Sequence, residues 1–160
     1  MKKAIILIVA LVILILIAWL GVSSVAKLKT KEEVKEVQNS LESIFSKLGI
    51  YALETNRTTL IIYFNSECEF CQWEVEEISK HFDEFENVQM AFVSHEPEDE
   101  AIQFLKSHNL DQFYLTSRTE NVMSTFTGSV PQLFIYKQGK LVNQFKGEVK
   151  IELILEALRK

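Results

Sequence analysis

The chain has 160 residues, a formal net charge of −5 and two cysteines, which is enough length for one domain with its own core. Without Lys2 and Lys3 at the amino terminus, 15 basic and 22 acidic residues remain, a net charge of −7. Because the basic residues form no cluster outside the flanks of an apolar run near the amino terminus, this composition argues against a nucleic-acid partner.

That apolar run is residues 4–20, seventeen consecutive positions. At 1.5 Å per helical residue it nearly matches the ~30 Å hydrocarbon core of a bilayer. We therefore predict an N-terminal transmembrane anchor within residues 1–26, in contact with membrane lipid. A cleaved signal peptide is the alternative, because residues 24–26 resemble a cleavage site, although secretory apolar regions are usually only ~7 to 15 residues long.

Lysines flank both ends of the run, so the positive-inside rule does not decide its orientation. A short basic amino terminus before a signal-like segment normally stays in the cytoplasm. We therefore predict a single-pass membrane protein whose residues 27–160 lie outside the cytoplasm. Cleavage of the apolar run would instead give a secreted protein.

Residues 27–50 are predicted to form a juxtamembrane amphipathic segment with a helix over 31–48 that ends near Gly49. Its apolar residues recur at helical spacing: Val34, Val37, Leu41, Ile44, Phe45 and Leu48. The stripe could form a coiled coil or pack on the domain that follows. Barely two heptads favour packing on that domain, which we place at residues 51–160.

The next elements alternate between strand and helix. Residues 59–64 are apolar at almost every position, as in a strand buried on both faces of a sheet. An amphipathic helix over 69–86 and a strand over 88–93 complete a parallel, right-handed unit. The later predicted elements are a helix from about Pro97 to Asn109, a short strand at 113–115, a short helix at 119–126, a hairpin of 133–136 with 141–145, and a closing helix at 151–158.

Both cysteines, Cys68 and Cys71, lie between the first strand and the helix that follows it. A cysteine at the start of a helix has its thiolate stabilised by free backbone N–H groups and by the helix dipole. One helical turn brings Cys71 back toward the sulfur of Cys68. We therefore expect Cys68 to be the nucleophile and Cys71 to resolve the mixed disulfide.

There are three alternative roles for the pair: a zinc site, a copper site and a structural disulfide. Zinc needs four ligands, and besides carboxylates the chain adds only His81, His95 and His108, without the spacing of a zinc site. A copper site of two cysteines and one histidine is a related alternative. A purely structural disulfide would close a very small loop and stabilise little. We predict no metal.

The order of elements, with the Cys68-Glu69-Phe70-Cys71 motif between strand and helix and with Val130-Pro131 before the hairpin, resembles the thioredoxin superfamily over residues 59–160. The extra strand at 113–115 and the short helix before Val130 are more similar to the TlpA-like thiol-disulfide oxidoreductases. The resemblance implies an α/β thioredoxin-like fold, a central mixed sheet flanked by helices. Pro131 corresponds to the cis-proline of the family, whose backbone neighbours bind substrate peptide, although an ordinary trans proline is the alternative.

The chain departs from the family pattern near the cysteines. Glu67 replaces the usual tryptophan, Ile62 replaces a buried acid that assists proton transfer, and Gln132 replaces the usual threonine after the proline. Glu67 and Glu69, with Glu74, oppose thiolate formation if water does not screen them.

His95 follows a parallel strand, so it should lie at the same sheet edge as Cys68, where it could tune the thiols or remain a solvated loop residue.

From these observations we predict a membrane-anchored, extracytoplasmic thiol-disulfide oxidoreductase that acts on protein cysteines, as a reductant, through Cys68 and Cys71. Val130 and Pro131 would support the bound substrate. The redox-active disulfide would be the only redox group, with no added cofactor, and a second membrane protein would recycle it. The alternative is a tethered thioredoxin-like module that binds partners or senses redox state without turnover.

Overall fold

The structure is a computed structural model that describes residues 11–17, 31–50 and 54–160. The chain divides into two units, residues 1–35 and 36–160. Of the predicted membrane segment only residues 11–17 are described, and they are helical with exposed apolar side chains. The remainder of that segment and the boundary at residue 26 lie outside the described residues. Within the described part of the chain, no helix combines the length and hydropathy that a bilayer crossing requires.

Four strands form one mixed sheet in the second unit: β1 (Thr59–Phe64), β2 (Gln89–Ser94), β3 (Gln132–Lys137) and β4 (Lys140–Lys146). Their spatial order is β2-β1-β3-β4, with β1 parallel to β2 and β3 antiparallel to both β1 and β4. Every residue of β1 is buried, which explains its continuous apolar sequence. This central position places the end of β1, and the cysteines that follow it, in the middle of one sheet edge.

The helices of this unit are α1 (Leu41–Leu48), α2 (Glu69–Lys80), α3 (Glu98–Lys106), α4 (Thr119–Thr125) and α5 (Ile151–Arg159). Short 3₁₀ helices occupy Phe82–Phe85 and Asp111–Phe113. Alternate residues of β1 point to opposite faces of the sheet. Leu60, Ile62 and Phe64 belong to the core cluster with α2, α3 and α5, while Ile61 and Tyr63 belong to the cluster with α1 and α4. The sheet is therefore covered by helices on both faces, as the resemblance implied.

The predicted helix over 31–48 is interrupted at residues 39–40, although it ends as expected with Gly49 in the left-handed conformation. Ser40 is extended and bridges Lys140 at the edge of β4. The Leu41 N–H donates to the Gly139 carbonyl at 2.8 Å. Pairing with the strand edge requires extended backbone here, so the helix cannot be continuous. The apolar residues of α1 pack on the sheet.

Two further element predictions need correction. The predicted strand at 113–115 is a 3₁₀ helix, Asp111–Phe113, followed by a single parallel bridge between Tyr114 and Phe92. The predicted helix over 69–86 ends at Lys80 because His81 leaves helical geometry, and a 3₁₀ turn follows. The hairpin and the closing helix have the predicted locations within one or two residues.

Candidate functional site

Cys68 is the N-cap residue of α2. It lies three residues after Asn65, where the loop that follows β1 begins. Its N–H donates to the Asn65 carbonyl at 3.2 Å, and its own carbonyl accepts from the Gln72 N–H at 3.0 Å. The two thiols are free. Cys68 is half-buried, whereas Cys71, one turn into the helix, is fully buried. Only Cys68 is therefore accessible to a substrate sulfur at the surface.

Burial is the main reason that the pKa of the Cys71 thiol is raised far above its ordinary value. A hydrogen bond from the Asn65 backbone lowers this pKa, while interactions with Cys68 and the negative charge of Glu96 raise it further. At neutral pH, Cys71 is therefore a thiol, and it needs to lose a proton before it can act as a nucleophile. The two cysteines therefore differ in accessibility, with Cys68 half-buried and Cys71 fully buried.

The segment before β3 lies against Cys68. The peptide bond between Val130 and Pro131 is cis, and the Cys68 thiol donates to the Val130 carbonyl with an Sγ–O distance of 3.7 Å. Pro131 is buried and its carbonyl accepts from the Gly147 N–H at 2.9 Å. The structure thus brings four of the predicted site residues together at one edge of the sheet.

The side chain of Gln132 forms hydrogen bonds with the segment before β3. Its side chain is buried, and Nε2 donates to the carbonyls of Thr127 at 3.0 Å and Ser129 at 2.8 Å. Its Oε1 atom is buried without a hydrogen-bond partner among the described residues. From the sequence, Gln132 was only a departure from the family pattern. In the structure, its amide holds the turn that precedes the Val130 carbonyl.

Glu96 is a site residue that the sequence analysis missed. Its buried carboxylate accepts from the Ser66 N–H at 3.0 Å and the Ser66 hydroxyl at 2.7 Å. Asn65 Nδ2 donates to it at 3.2 Å and the Ser94 hydroxyl at 2.9 Å. Four donor groups therefore fix the loop that leads into Cys68. The signal available in the sequence was an acidic residue just beyond β2, at the edge where the loop after β1 also lies.

Glu74, which was expected to add negative charge around the thiols together with Glu67 and Glu69, is almost fully buried. Its Oε2 accepts from the Val149 N–H at 2.9 Å, while Oε1 has no partner among the described residues. Burial raises the pKa of this carboxyl to about 7; the Val149 hydrogen bond lowers it, and the charges of Glu148 and Glu77 raise it. Glu74 therefore carries only part of a negative charge at neutral pH.

His95 lies just beyond β2, and its Nδ1 is 2.9 Å from the hydroxyl oxygen of Tyr63. The Tyr63 ring packs on Phe126, with ring centroids 5.2 Å apart. The pKa of Tyr63 is raised by burial and, to a lesser degree, by the charge of Cys71. His95 is thus linked to the buried side of the site through Tyr63, and no hydrogen bond joins it to either thiol among the described residues.

The other predicted tuning residues lie at the surface. Glu67 and Glu69 are exposed on either side of Cys68. The Glu67 N–H donates to Asn65 Oδ1 at 3.0 Å. Ile62, at the position of the buried acid of the family, is fully buried in the apolar core. In the part of the chain that the structure describes, no group of three or more histidine, cysteine or acidic side chains is arranged to hold a metal.

Comparison of the fold with solved structures identifies thioredoxin-fold thiol-disulfide oxidoreductases as structural neighbours. One is a secreted disulfide oxidoreductase of Mycobacterium tuberculosis, with a TM-score of 0.55, 13% identity, and coverage of 65% of this chain and 81% of the other. Another is StoA from Bacillus subtilis, with a TM-score of 0.51, 16% identity, and coverage of 65% and 84%. A third is a thio-disulfide isomerase from Thermus thermophilus, with a TM-score of 0.54, 25% identity, and coverage of 63% and 76%.

The chain therefore has a thioredoxin-like α/β fold with a Cys-x-x-Cys pair at the start of α2. Neither the protein-family profiles nor the curated protein sequences contain a match to it. The structural likeness defines the fold, and the chemistry is inferred from the residues of this chain.

Proposed function

We propose that the protein is a thiol-disulfide oxidoreductase that reduces disulfides of protein substrates. The observation that carries this proposal is the pairing of an accessible Cys68 at a helix amino terminus with a buried Cys71 one turn behind it. The Val130 carbonyl beside Cys68 supports binding of a substrate backbone at the same point.

In the proposed reaction, the Cys68 thiolate attacks one sulfur of a substrate disulfide. A bond forms between Cys68 and that sulfur, and the other substrate sulfur leaves as a thiolate that takes up a proton. Cys71 then loses its proton and attacks Cys68 Sγ, which releases the second substrate thiol and forms the Cys68–Cys71 disulfide. The substrate gains two electrons and two protons, and the protein is oxidised by two electrons.

Reduction is the proposed direction because burial disfavours the thiolate of Cys71 and because acidic side chains lie next to the pair. Strong oxidants of this fold stabilise their reduced, thiolate form. Here Glu67 and Glu69 are exposed next to Cys68, and the charge of Glu96 raises the pKa of Cys71. A less stabilised reduced state gives up its electrons more readily. A membrane redox partner would then return two electrons to the pair.

The proposed location is the extracytoplasmic side of a membrane, with the apolar run 4–20 as a single-pass anchor that contacts lipid. The length and composition of that run support this placement. The description of one structural neighbour as secreted is consistent with an extracytoplasmic domain. Secretion after cleavage is the alternative.

The proposal is tested by equilibrating the pair with glutathione and by alkylating its thiols. We expect a reduction potential more negative than that of the glutathione couple, near the value of about −270 mV typical of thioredoxin. Iodoacetamide at pH 7 should modify Cys68 in the wild type and in a Cys71→Ser variant, while Cys71 in a Cys68→Ser variant should react far more slowly. A potential near about −120 mV would indicate an oxidant instead. A Cys68 inert to alkylation would leave only the non-catalytic module.

A further inference from the structure

Two large aromatic side chains are exposed next to the thiols. Phe70 and Trp73 lie on the first turns of α2, with 52% and 45% of their surfaces accessible. Their rings meet edge to face with centroids 5.9 Å apart. A spacing of three residues places them on one helix face, while Cys71 and Glu74, which have the same spacing, are buried. The helix therefore presents an aromatic pair to solvent beside Cys68.

A cleft of about 380 Å³ lies on the loop that leads into Cys68. Its lining consists of Ser66, Glu67, Glu100, Gln103, Phe104 and Ser107. Glu67 and Glu100 are exposed, and Phe104 is partly buried against the core. Among the described residues, neither carboxylate has a lysine or arginine within ion-pair distance. The shallow cleft thus combines one apolar side chain, Phe104, with two carboxylates that have no ion-pair partner in the described part of the chain.

This combination fits a lysine or arginine side chain. Such a side chain places its methylene stem along apolar surface and keeps its charged head beside acceptors. Glu69, also exposed, adds negative charge next to Cys68. Lys106, which stands between Gln103 and Ser107 in the sequence, lies outside the lining of this cleft.

We propose that Phe70 and Trp73, together with the acidic cleft at Glu67 and Glu100, form a docking surface for substrate segments that carry a basic and an apolar side chain close to the reacting cysteine. This inference rests on the proposed function and specifies its substrate class. The aromatic pair binds the apolar side chain, since buried aromatic residues contribute strongly at protein interfaces. The carboxylates bind the basic side chain and increase the rate of encounter.

The test uses the reduced full-length chain in a neutral detergent and peptides with one cysteine, each blocked as a mixed disulfide with 2-mercaptoethanol. One peptide carries lysine and leucine beside the cysteine; the comparison peptides replace lysine by glutamate or leucine by serine. Each rate is divided by the rate of the same peptide with dithiothreitol, which removes differences in intrinsic reactivity. We expect the lysine–leucine peptide to react about ten-fold faster than the glutamate peptide at low salt, and the difference to shrink at about 0.5 M salt.

Variants separate the two parts of the surface. Phe70→Ala with Trp73→Ala should lower the rate of the leucine peptide about ten-fold and leave the serine peptide nearly unchanged. Glu67→Gln with Glu100→Gln should remove the advantage of lysine. Matched controls are Phe82→Ala and Asp83→Asn, an exposed aromatic and an exposed carboxylate beyond the other end of α2. That end is about 18 Å from Cys68 along the helix.

A second readout follows binding itself. In a Cys71→Ser variant, attack of Cys68 on the peptide sulfur expels 2-mercaptoethanol and leaves the peptide disulfide-bonded to Cys68. Docking on Trp73 should then shift the tryptophan fluorescence to shorter wavelength, measured against the same variant with Trp73→Phe. Hydroxyethyl disulfide, which is small and uncharged, measures the thiol-disulfide exchange itself, without the contribution of docking. Normal reduction of hydroxyethyl disulfide with equal rates for all peptides would overturn the docking surface alone. Failure to reduce hydroxyethyl disulfide would overturn the proposed function and this inference with it.

Discussion

Glu74 and Glu96 are buried carboxyl groups near the thiols, but their surroundings differ. Four donor groups surround the Glu96 carboxylate, whereas Glu74 accepts one backbone hydrogen bond and leaves one oxygen without a partner. Burial without compensating donors disfavours the charged form of a carboxyl group. Glu96 organises the loop before Cys68, and the pKa of Glu74 is raised to about 7, so that its charge changes near neutral pH.

The raised pKa of Glu74 predicts that stability falls as pH rises. The folded pKa is about 7, above the ordinary value of 4.5, so between these values the unfolded chain loses its proton while the folded protein keeps it. At about 1.4 kcal/mol per pKa unit, this carboxyl lowers the free energy of unfolding by about 3 kcal/mol between pH 4.5 and 7. Below pH 4.5 it has no such effect.

The measurement is urea unfolding of the wild type and Glu74→Gln across pH 4 to 8. Glutamine keeps an acceptor for the Val149 N–H but cannot ionise. The free energy of unfolding of the variant, minus that of the wild type, should therefore be larger at pH 8 than at pH 4.5. Glu76→Gln, an exposed change on the same helix, is the matched control. Parallel stability profiles for the wild type and Glu74→Gln would show that Glu74 does not titrate in this range.

The position of the two thiols at the start of a helix could be predicted from the sequence, because Cys68 and Cys71 are neighbours that follow a strand-like run. Sequence alone could not assign Glu96, whose donors Asn65 and Ser66 come from a loop about thirty positions earlier. It also grouped Glu74 with Glu67 and Glu69 as negative charges around the thiols, without separating the buried carboxyl from the two exposed ones. Whether a glutamate on an amphipathic helix faces water or core depends on a second segment, here the one that carries Val149.

The loop at residues 65–66 and the helix α1 are the elements whose contributions are most directly testable. Glu96→Gln replaces a charged acceptor by an amide whose NH₂ group faces the Ser66 donors. Hydrogen bonds to a charged group contribute about 1.5 to 3 kcal/mol, so the free energy of unfolding should fall by about 2 kcal/mol. Removing the negative charge should also lower the pKa of Cys71, for which the charge of Glu96 is one of the raising causes.

Urea unfolding with an unchanged dependence on denaturant measures the first effect, and the pH dependence of alkylation in Glu96→Gln with Cys68→Ser measures the second. Asp99→Asn is the control, since Asp99 is an exposed carboxylate on α3, three residues further on. Equal stability of Glu96→Gln and Asp99→Asn would contradict a structural role for the hydrogen bonds.

Ile44 tests whether α1 is an integral layer of the domain. Its side chain is fully buried in the cluster with Tyr63 and Phe134 of the sheet. Ile44→Ala should lower the free energy of unfolding by about 2 to 4 kcal/mol, through lost burial and the cavity left behind. Lys47→Ala, at an exposed position of the same helix, should change it by less than about 0.5 kcal/mol. A loss below about 1 kcal/mol for Ile44→Ala would indicate that α1 is only loosely attached.

Elements could be predicted where their own residues define them. The nearly continuous apolar sequence of β1 indicated a strand buried on both faces, and Gln138-Gly139 lies at the turn of the predicted hairpin. Prediction failed where tertiary contacts decided the geometry. Ser40 leaves the helix to pair with β4, and Tyr114 makes a single bridge with β2 rather than a strand. Neither contact is encoded in local periodicity.

The proposed topology places the carboxyl terminus of the whole molecule outside the cytoplasm. Alkaline phosphatase, which is active only outside the cytoplasm, should be active and membrane-associated when fused after Lys160. Deletion of residues 1–26 should abolish this activity, and green fluorescent protein at the same fusion point should stay dark. Active phosphatase in the soluble extracytoplasmic fraction would indicate cleavage instead of anchoring. Bright fluorescence with inactive phosphatase would reverse the proposed orientation.

Residues 38–41 are attached to the sheet, so they cannot form part of a flexible linker between the domain and the proposed membrane anchor. Gln38 Nε2 donates to the Thr125 carbonyl at 2.7 Å, its carbonyl accepts from the Tyr136 hydroxyl at 2.6 Å, and Ser40 bridges Lys140. Any flexible linker between an anchor and the domain must therefore end before Gln38. Residues 38–50, extended, would have added about 45 Å of reach. If residues 4–20 anchor the chain as we propose, the partners of Cys68 must lie within reach of a linker that is shorter by about this length.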